Sequence, residues 1–174
     1  LGSLKCILAT PGGGILMGTG EGLFLFSPSS QGNTRGGIRK VTGSPAGPVI
    51  SLTAGDKGIH AGVQDDGIWK LSGTAPLLSM AKAGGGTYSF SCMIPAGAQE
   101  IWAGTPDNGA VRIRIGDSLS VTHLTATAGL SVKSLLRDRE QQLWLGTAGE
   151  GLVQGIWEPL SSMPWTAGVA GPAF

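Results

Sequence analysis

Residues 143–152 read LWLGTAGEGL: an aliphatic residue, a tryptophan, another aliphatic residue, Gly-Thr, three small or polar residues, then Gly-Leu. A glycine-rich run of this kind either cradles a phosphate or forms one turn of something that repeats. The rest of the chain decides between the two. IWAGTPDNGAV occupies 101–111, IHAGVQDDGIW 59–69 and ILMGTGEGLF 15–24. The shared glycines are Gly18, Gly62, Gly104 and Gly146, spaced 44, 42 and 42 residues apart. A near-constant period of this size marks a repeat architecture. A Walker-type phosphate loop needs Gly-Lys-Ser/Thr opening a helix, and no lysine follows any of these glycines.

One repeat reads as four short strands. In the last copy, VKSLLRD (132–138), LWLGT (143–147), LVQGIW (152–157) and PLSSMPW (159–165) are separated by turn residues. The other copies fill the same template. The first strands are LKCILA, VISLTA and FSCMIP. The third strands are LFLFS, IWKLS and VRIRI, and the fourth are IRKVT, LLSMA and LSVTHLT. No window carries sustained helical periodicity. Four antiparallel strands every 42 or so residues is the period of a β-propeller blade. The expected fold is therefore all-β, a propeller of four four-stranded antiparallel blades at about 1–44, 45–86, 87–129 and 130–167.

Template positions carry packing roles. The glycine of strand two lets a neighbouring backbone or side chain approach closely. Trp102 and Trp144 share one position with Leu16 and His60, where a large residue fills the wedge between blades. His60 reads as a partly buried packing histidine, and His123 as a solvated residue of an outer strand. Cys6 and Cys92 occupy one equivalent position, each thirteen residues before a repeat threonine, and read as small buried hydrophobes.

Composition excludes several classes. The chain has 174 residues, a net charge of +1 and 13% charged residues. Its basic residues are scattered, with RGGIRK (35–40) the nearest to a cluster, so nucleic acid is not an expected partner. No apolar run reaches the length of a membrane helix, so no membrane contact is expected within the chain. The opening LGSLKC does not have the pattern of a signal peptide. The 31 glycines fall between short apolar runs in a chain that is 41% hydrophobic, which places them in turns of a packed protein. Two cysteines without nearby histidine make a poor zinc set, and no metal or cofactor is implied.

VKSLLRDREQQLWLGTAGEGLVQ (132–154) resembles the two-component regulator propeller repeat, whose units run roughly as an Asp, a short turn, then "l-W-i-G-T-x-x-G-G-L". The likeness is strong in the fourth copy and good in the first, CILATPGGGILMGTGEGL (6–23). The third copy lacks the Leu after Gly109. The second has His60 for the tryptophan and Val63 for the threonine, and the motif's aspartate survives only as Asp138. The resemblance implies a bacterial ligand-sensing domain, periplasmic or extracellular, usually the sensor part of a histidine kinase or other regulator. Propellers of that family have more than four blades. Here TAGVAGPAF (166–174) is similar to TAGLSVKSL (127–135), so 168–174 is expected to start a further blade. The ring is then either four-bladed or half of a larger one that a second copy closes as a homodimer.

The turns between strands two and three share one face of a propeller. They offer Glu21, Gln64, Asp65, Asp107, Asn108 and Glu150, an acidic residue or its amide in every blade. These six are the expected ligand-binding residues, for a small molecule or carbohydrate on the axial face. Turn chemistry alone accounts for Asp66-Gly67 and Asn108-Gly109, and less well for Glu21 and Glu150. No catalytic set is legible. PDNGAVRIRIGDSLSVTHL (106–124) is similar to one blade of the streptogramin-lyase propellers, which keeps a propeller enzyme as one alternative. That alternative requires His and Glu from different blades to meet at a metal. A structural, self-assembling module is the other.

Overall fold

The computed structural model describes residues 2–28, 36–56, 58–73, 78–84, 88–116, 118–155 and 168–169. These form four antiparallel four-stranded sheets, the blades of an all-β, propeller-like fold. Blade 1 comprises β1 (Leu4–Ala9), β2 (Ile15–Thr19), β3 (Gly22–Ser27) and β4 (Gly37–Lys40). Blade 2 comprises β5 (Val49–Gly55), β6 (Gly58–Val63), β7 (Gly67–Ser72) and β8 (Ser79–Gly84). Blade 3 comprises β9 (Cys92–Gly97), β10 (Glu100–Gly104), β11 (Ala110–Ile115) and β12 (Leu119–His123). Blade 4 comprises β13 (Val132–Arg137), β14 (Leu143–Thr147), β15 (Leu152–Gly155) and β16 (Gly168–Val169).

Two strand expectations shift. FSCMIP was expected to be a strand from Phe90, but β9 starts at Cys92. Phe90 is instead a fully buried side chain of the wedge between blades 2 and 3, and the Ser91 hydroxyl donates to the Val132 carbonyl of blade 4. Gly168–Val169, expected to open a further blade, pairs antiparallel with β15 and forms the outer strand of blade 4. A strand beside an unpaired ladder edge gains backbone hydrogen bonds there, and sequence likeness to 127–135 does not register that option. The segment PLSSMPW, expected as that outer strand, lies outside the described residues.

Register assigns each residue a face, because laterally paired residues point the same way. Call the face that meets the following blade the front. In blade 1, Leu8, Leu16 and Leu25 line the front, with Cys6, Gly18 and Leu23 beside them. They meet the rear of blade 2, where Val49, Ala61, Val63, Leu71 and Met80 complete the core. Phe90, Met93, Ala103, Val111 and Ile113 of blade 3 pack against Ile68 of blade 2. Trp102, Ala110, Val132, Leu143 and Leu145 fill the wedge between blades 3 and 4. Each fully buried leucine in these wedges contributes roughly 2 kcal/mol of transfer free energy.

The strand-two glycines are seats for the next blade. A Cβ on Gly18 would lie 2.7 Å from the Val49 carbonyl, and one on Gly104 2.6 Å from Val132 Cγ1. Both distances are shorter than real Cβ contacts allow, so only glycine fits. The inner strands follow one another accordingly: β1 packs on β5, β5 on β9 and β9 on β13. Among the described residues no comparable packing joins β13 back to β1.

Candidate functional site

The turn that joins strand two to strand three is built in two ways. In blades 1, 3 and 4 the repeat threonine braces it. Thr19 Oγ1 donates to the Gly22 carbonyl at 2.9 Å, Thr105 Oγ1 to Gly109 at 2.8 Å and Thr147 Oγ1 to Gly151 at 2.8 Å. Thr105 Oγ1 also accepts from the Asn108 amide N–H at 2.9 Å. Blade 2 has Val63 at this position, which offers no hydroxyl. Its turn closes through the backbone instead, with the Asp66 N–H on the Val63 carbonyl at 3.2 Å. Asp65 takes a left-handed conformation there, φ 56°, which aspartate tolerates better than most residues.

These two unlike turns face each other across the wedge between blades 2 and 3. They enclose a cleft of about 480 Å³. Gln64 and Asp65 line one side. Thr105, Pro106, Asp107 and Asn108 line the other, and Tyr88 and Ser89 form the floor between them from the link that leads into β9. Tyr88 is fixed from two sides. Its ring stacks on Phe90 with centroids 5.9 Å apart, and its hydroxyl lies 3.2 Å from His123 Nε2. The Gly67 N–H donates to the Tyr88 carbonyl at 3.2 Å. Across the cleft, Asn108 Nδ2 donates to Asp107 Oδ1 at 2.8 Å, which orients both side chains.

Four of the six expected site residues therefore share one cleft: Gln64, Asp65, Asp107 and Asn108. Glu21 and Glu150 sit in the turns of blades 1 and 4 and do not line it. The structure adds Tyr88 and Ser89. These residues belong to an inter-blade link that has no repeat signature, which is why a reading based on repeats passes over them. Asp66, adjacent to the cleft, is committed to structure. It accepts from Trp69 Nε1 at 3.1 Å and pairs with Lys82, whose ammonium is the main cause of a carboxyl held below its usual range.

The two histidines occupy different places. His123 is exposed on β12 beside Tyr88. His60 lies at the opposite end of blade 2, 4% exposed, and its Nε2 has no hydrogen-bond partner among the described residues. Burial, helped by the nearby Lys70 charge, lowers its pKa. His60 and Glu100, from adjacent blades, border a cavity of about 10 Å³, room for one water molecule and no substrate. The Glu100 carboxylate is taken by Arg112 and Arg114. Burial pushes its pKa up, but the two guanidiniums outweigh that and hold it below the usual range. No group of three metal-ligating side chains occurs among the described residues. Cys6 and Cys92 are free thiols, and no described helix is long and apolar enough to cross a membrane.

No family model and no curated protein matches the chain, so the repeat resemblance rests on the residues that carry it. Among solved structures, the chain is similar to the extracellular domain of the hybrid two-component system BT4673 from B. thetaiotaomicron. That match has 20% identity and a TM-score of 0.46, and covers 88% of this chain and 26% of the other. A second structure, described as the extracellular domain of the one-component system BT4673 from the same organism, matches at 20% identity and a TM-score of 0.44. It covers 88% of this chain and 27% of the other. The chain thus spans about a quarter of the length of those domains.

Proposed function

We propose that this chain is a non-catalytic ligand-binding module of an extracellular or periplasmic sensor, and that its ligand occupies the cleft between blades 2 and 3. The single observation that carries the reading is the convergence of two carboxylates, two amides and a fixed tyrosine on one cavity of about 480 Å³. Asp65 and Asp107 are acceptors, the amides of Gln64 and Asn108 both donate and accept, and the Tyr88 ring supplies an apolar surface. That combination suits a small molecule rich in hydroxyl groups, a mono- or disaccharide above all. A pocket of this size on a rigid scaffold with few polar anchors is how small-ligand sites are built. The repeat resemblance supports the sensor role and the location outside the cytoplasmic membrane.

The test is a titration with a panel of neutral mono- and disaccharides, followed by melting temperature and calorimetry. At least one sugar is expected to raise the melting temperature, since a ligand that binds only the folded state stabilises it. Asp65→Asn, which keeps a side chain that tolerates the left-handed turn, and Asp107→Ala are each expected to weaken that binding about tenfold or more, the equivalent of ~1.4 kcal/mol for a lost charged acceptor. Both residues are exposed and neither supports the core, so the ligand-free melting temperature should hold. A silent panel, or binding indifferent to both substitutions, would refute the reading.

A further inference from the structure

The cleft between blades 2 and 3 is charged, and its charge has one sign. Its lining includes Asp65 on one side and Asp107 on the other, with no lysine, arginine or histidine among the described residues. The chain as a whole has a net charge of +1, so this is a local concentration and not a property of the surface at large. The described ion pairs leave both carboxylates out: Lys82 is held by Asp66, and Arg112 and Arg114 by Glu100 at the far end of blade 3. Asp107 Oδ1 accepts from the neutral Asn108 amide, which supplies a hydrogen bond and no counter-charge. His123 stands at the Tyr88 hydroxyl, outside the lining.

Turn closure does not account for the two carboxylates. Asp65 takes a left-handed conformation, and blade 4 fills the same turn position with Gly149, the residue that positive φ favours. The blade 3 turn is braced by the Thr105 hydroxyl on the Gly109 carbonyl and the Asn108 N–H, without the Asp107 carboxylate. Between the two carboxylates lies Tyr88, fixed by Phe90 and His123. The face of its ring attracts a cation.

Resting on the sugar-binding role proposed for this cleft, we infer that its ligand is an amino sugar with a free amine. The ammonium group lies between Asp65 and Asp107, and the ring hydroxyls take the amides of Gln64 and Asn108. A protonated amine brings three hydrogen-bond donors along with its charge, and both carboxylates are acceptors. A uronic acid of the same size brings a third negative charge into a lining that has no cation to offset it, so acidic sugars are rejected. An N-acetylated sugar keeps the ring and loses the charge. Both carboxylates are exposed, so water and salt screen the attraction, and the preference for the amine is about tenfold at low ionic strength.

Calorimetric titration of the purified chain at about pH 6, where an aliphatic amine is protonated, is the test. The probes are glucose, galactose and mannose, each as the parent sugar, the amino sugar, its N-acetyl form and the uronic acid. One amino sugar is expected to bind about tenfold more tightly than its parent and its N-acetyl form, with no binding of the matching uronic acid. Raising the salt from about 0.01 M to about 1 M should shrink that preference and leave the parent sugar's affinity unchanged. Asp65→Asn and Asp107→Asn should each lower the preference and together erase it, at an unchanged ligand-free melting temperature. An amino sugar that binds no better than its parent, or a uronic acid that binds better, overturns this inference and leaves the sugar-sensor role standing. A preference that survives the double substitution or high salt also overturns it, since the charge is then recognised elsewhere. Ethanolamine, an ammonium without a sugar ring, is the control: binding as tight as the amino sugar's shows bare attraction for cations and overturns the amino-sugar assignment. Silence across every sugar refutes the sugar-binding role itself, and this inference with it.

Discussion

At the scale of the residue, His60 shows how a packing position can acquire titration behaviour. Its equivalents are Leu16, Trp102 and Trp144, all groups without a charge to gain. Buried against blade 3 and beside Lys70, the imidazole is kept neutral, with its pKa below the ordinary 6.5. The unfolded chain therefore binds a proton more readily than the folded one once the pH drops below that value. Stability is full above about pH 6.5 and is lost as the pH falls toward the depressed folded value. Thermal melts between about pH 7 and 5 should show the loss, and His60→Leu, which copies blade 1, should remove it from that window. The shifted carboxylates Asp66, Glu100 and Asp138 start from ordinary values of 3.8 or 4.5, so their contributions fall away at lower pH and do not confuse the reading. Asp138 owes its low value chiefly to Trp144 Nε1, at 2.7 Å. In this chain that aspartate–tryptophan bond is made in blade 4, the copy whose sequence keeps both residues.

At the scale of the element, the blade is set by its glycines and the turn that follows them. Gly109 has φ 71°, and a methyl group there would run into the Thr127 carbonyl and hydroxyl. Thr127 in turn accepts from the Ala110 N–H at 2.9 Å, which ties the blade 3 turn to the link into blade 4. Gly109→Ala is expected to cost at least ~3 kcal/mol, left-handed strain plus steric overlap. Gly129 has a similar φ of 81° with open space around it, and Gly129→Ala should cost only about 1–2 kcal/mol. Denaturant titration of the two variants checks the difference. Strand positions of this kind were legible in the sequence. The glycines of the four Gly-Thr or Gly-Val runs fall on β2, β6, β10 and β14, because a close-packing glycine and an alternating apolar run leave the same mark in every repeat. The edges were less legible. β9 starts late because Phe90 is drawn into the wedge, and β16 pairs with β15 because a free ladder edge outbids a resemblance in sequence. The cleft was half legible. Asp65 and Asp107 stand at repeat positions, while Tyr88 lies in a link of no fixed pattern and is held at the cleft by Phe90 and His123.

At the scale of the whole molecule, the described blades pack in succession, β1 on β5, β5 on β9 and β9 on β13, so stability is approximately a sum over blades and wedges. Among the described residues, blades 2 and 3 are packed against a neighbour on both faces. The two thiols happen to sit in different wedges. Cys6 lies against Gly18 with its S–H toward the Val49 carbonyl at 3.7 Å, and burial raises its pKa to about 11. Cys92 lies against Gly104 beneath Val132, and burial raises its pKa as well. Since the thiolate is the reactive form, neither should react quickly while its wedge is shut. Each cysteine is thus a chemical stopwatch for one joint of the molecule. The rate at which a maleimide consumes Cys6 times the parting of blades 1 and 2, and the rate at Cys92 times the parting of blades 3 and 4. Mass spectrometry of a single labelling reaction should give two separate clocks, both far slower than an unfolded control. If either thiol is labelled as fast as in that control, its wedge is not shut.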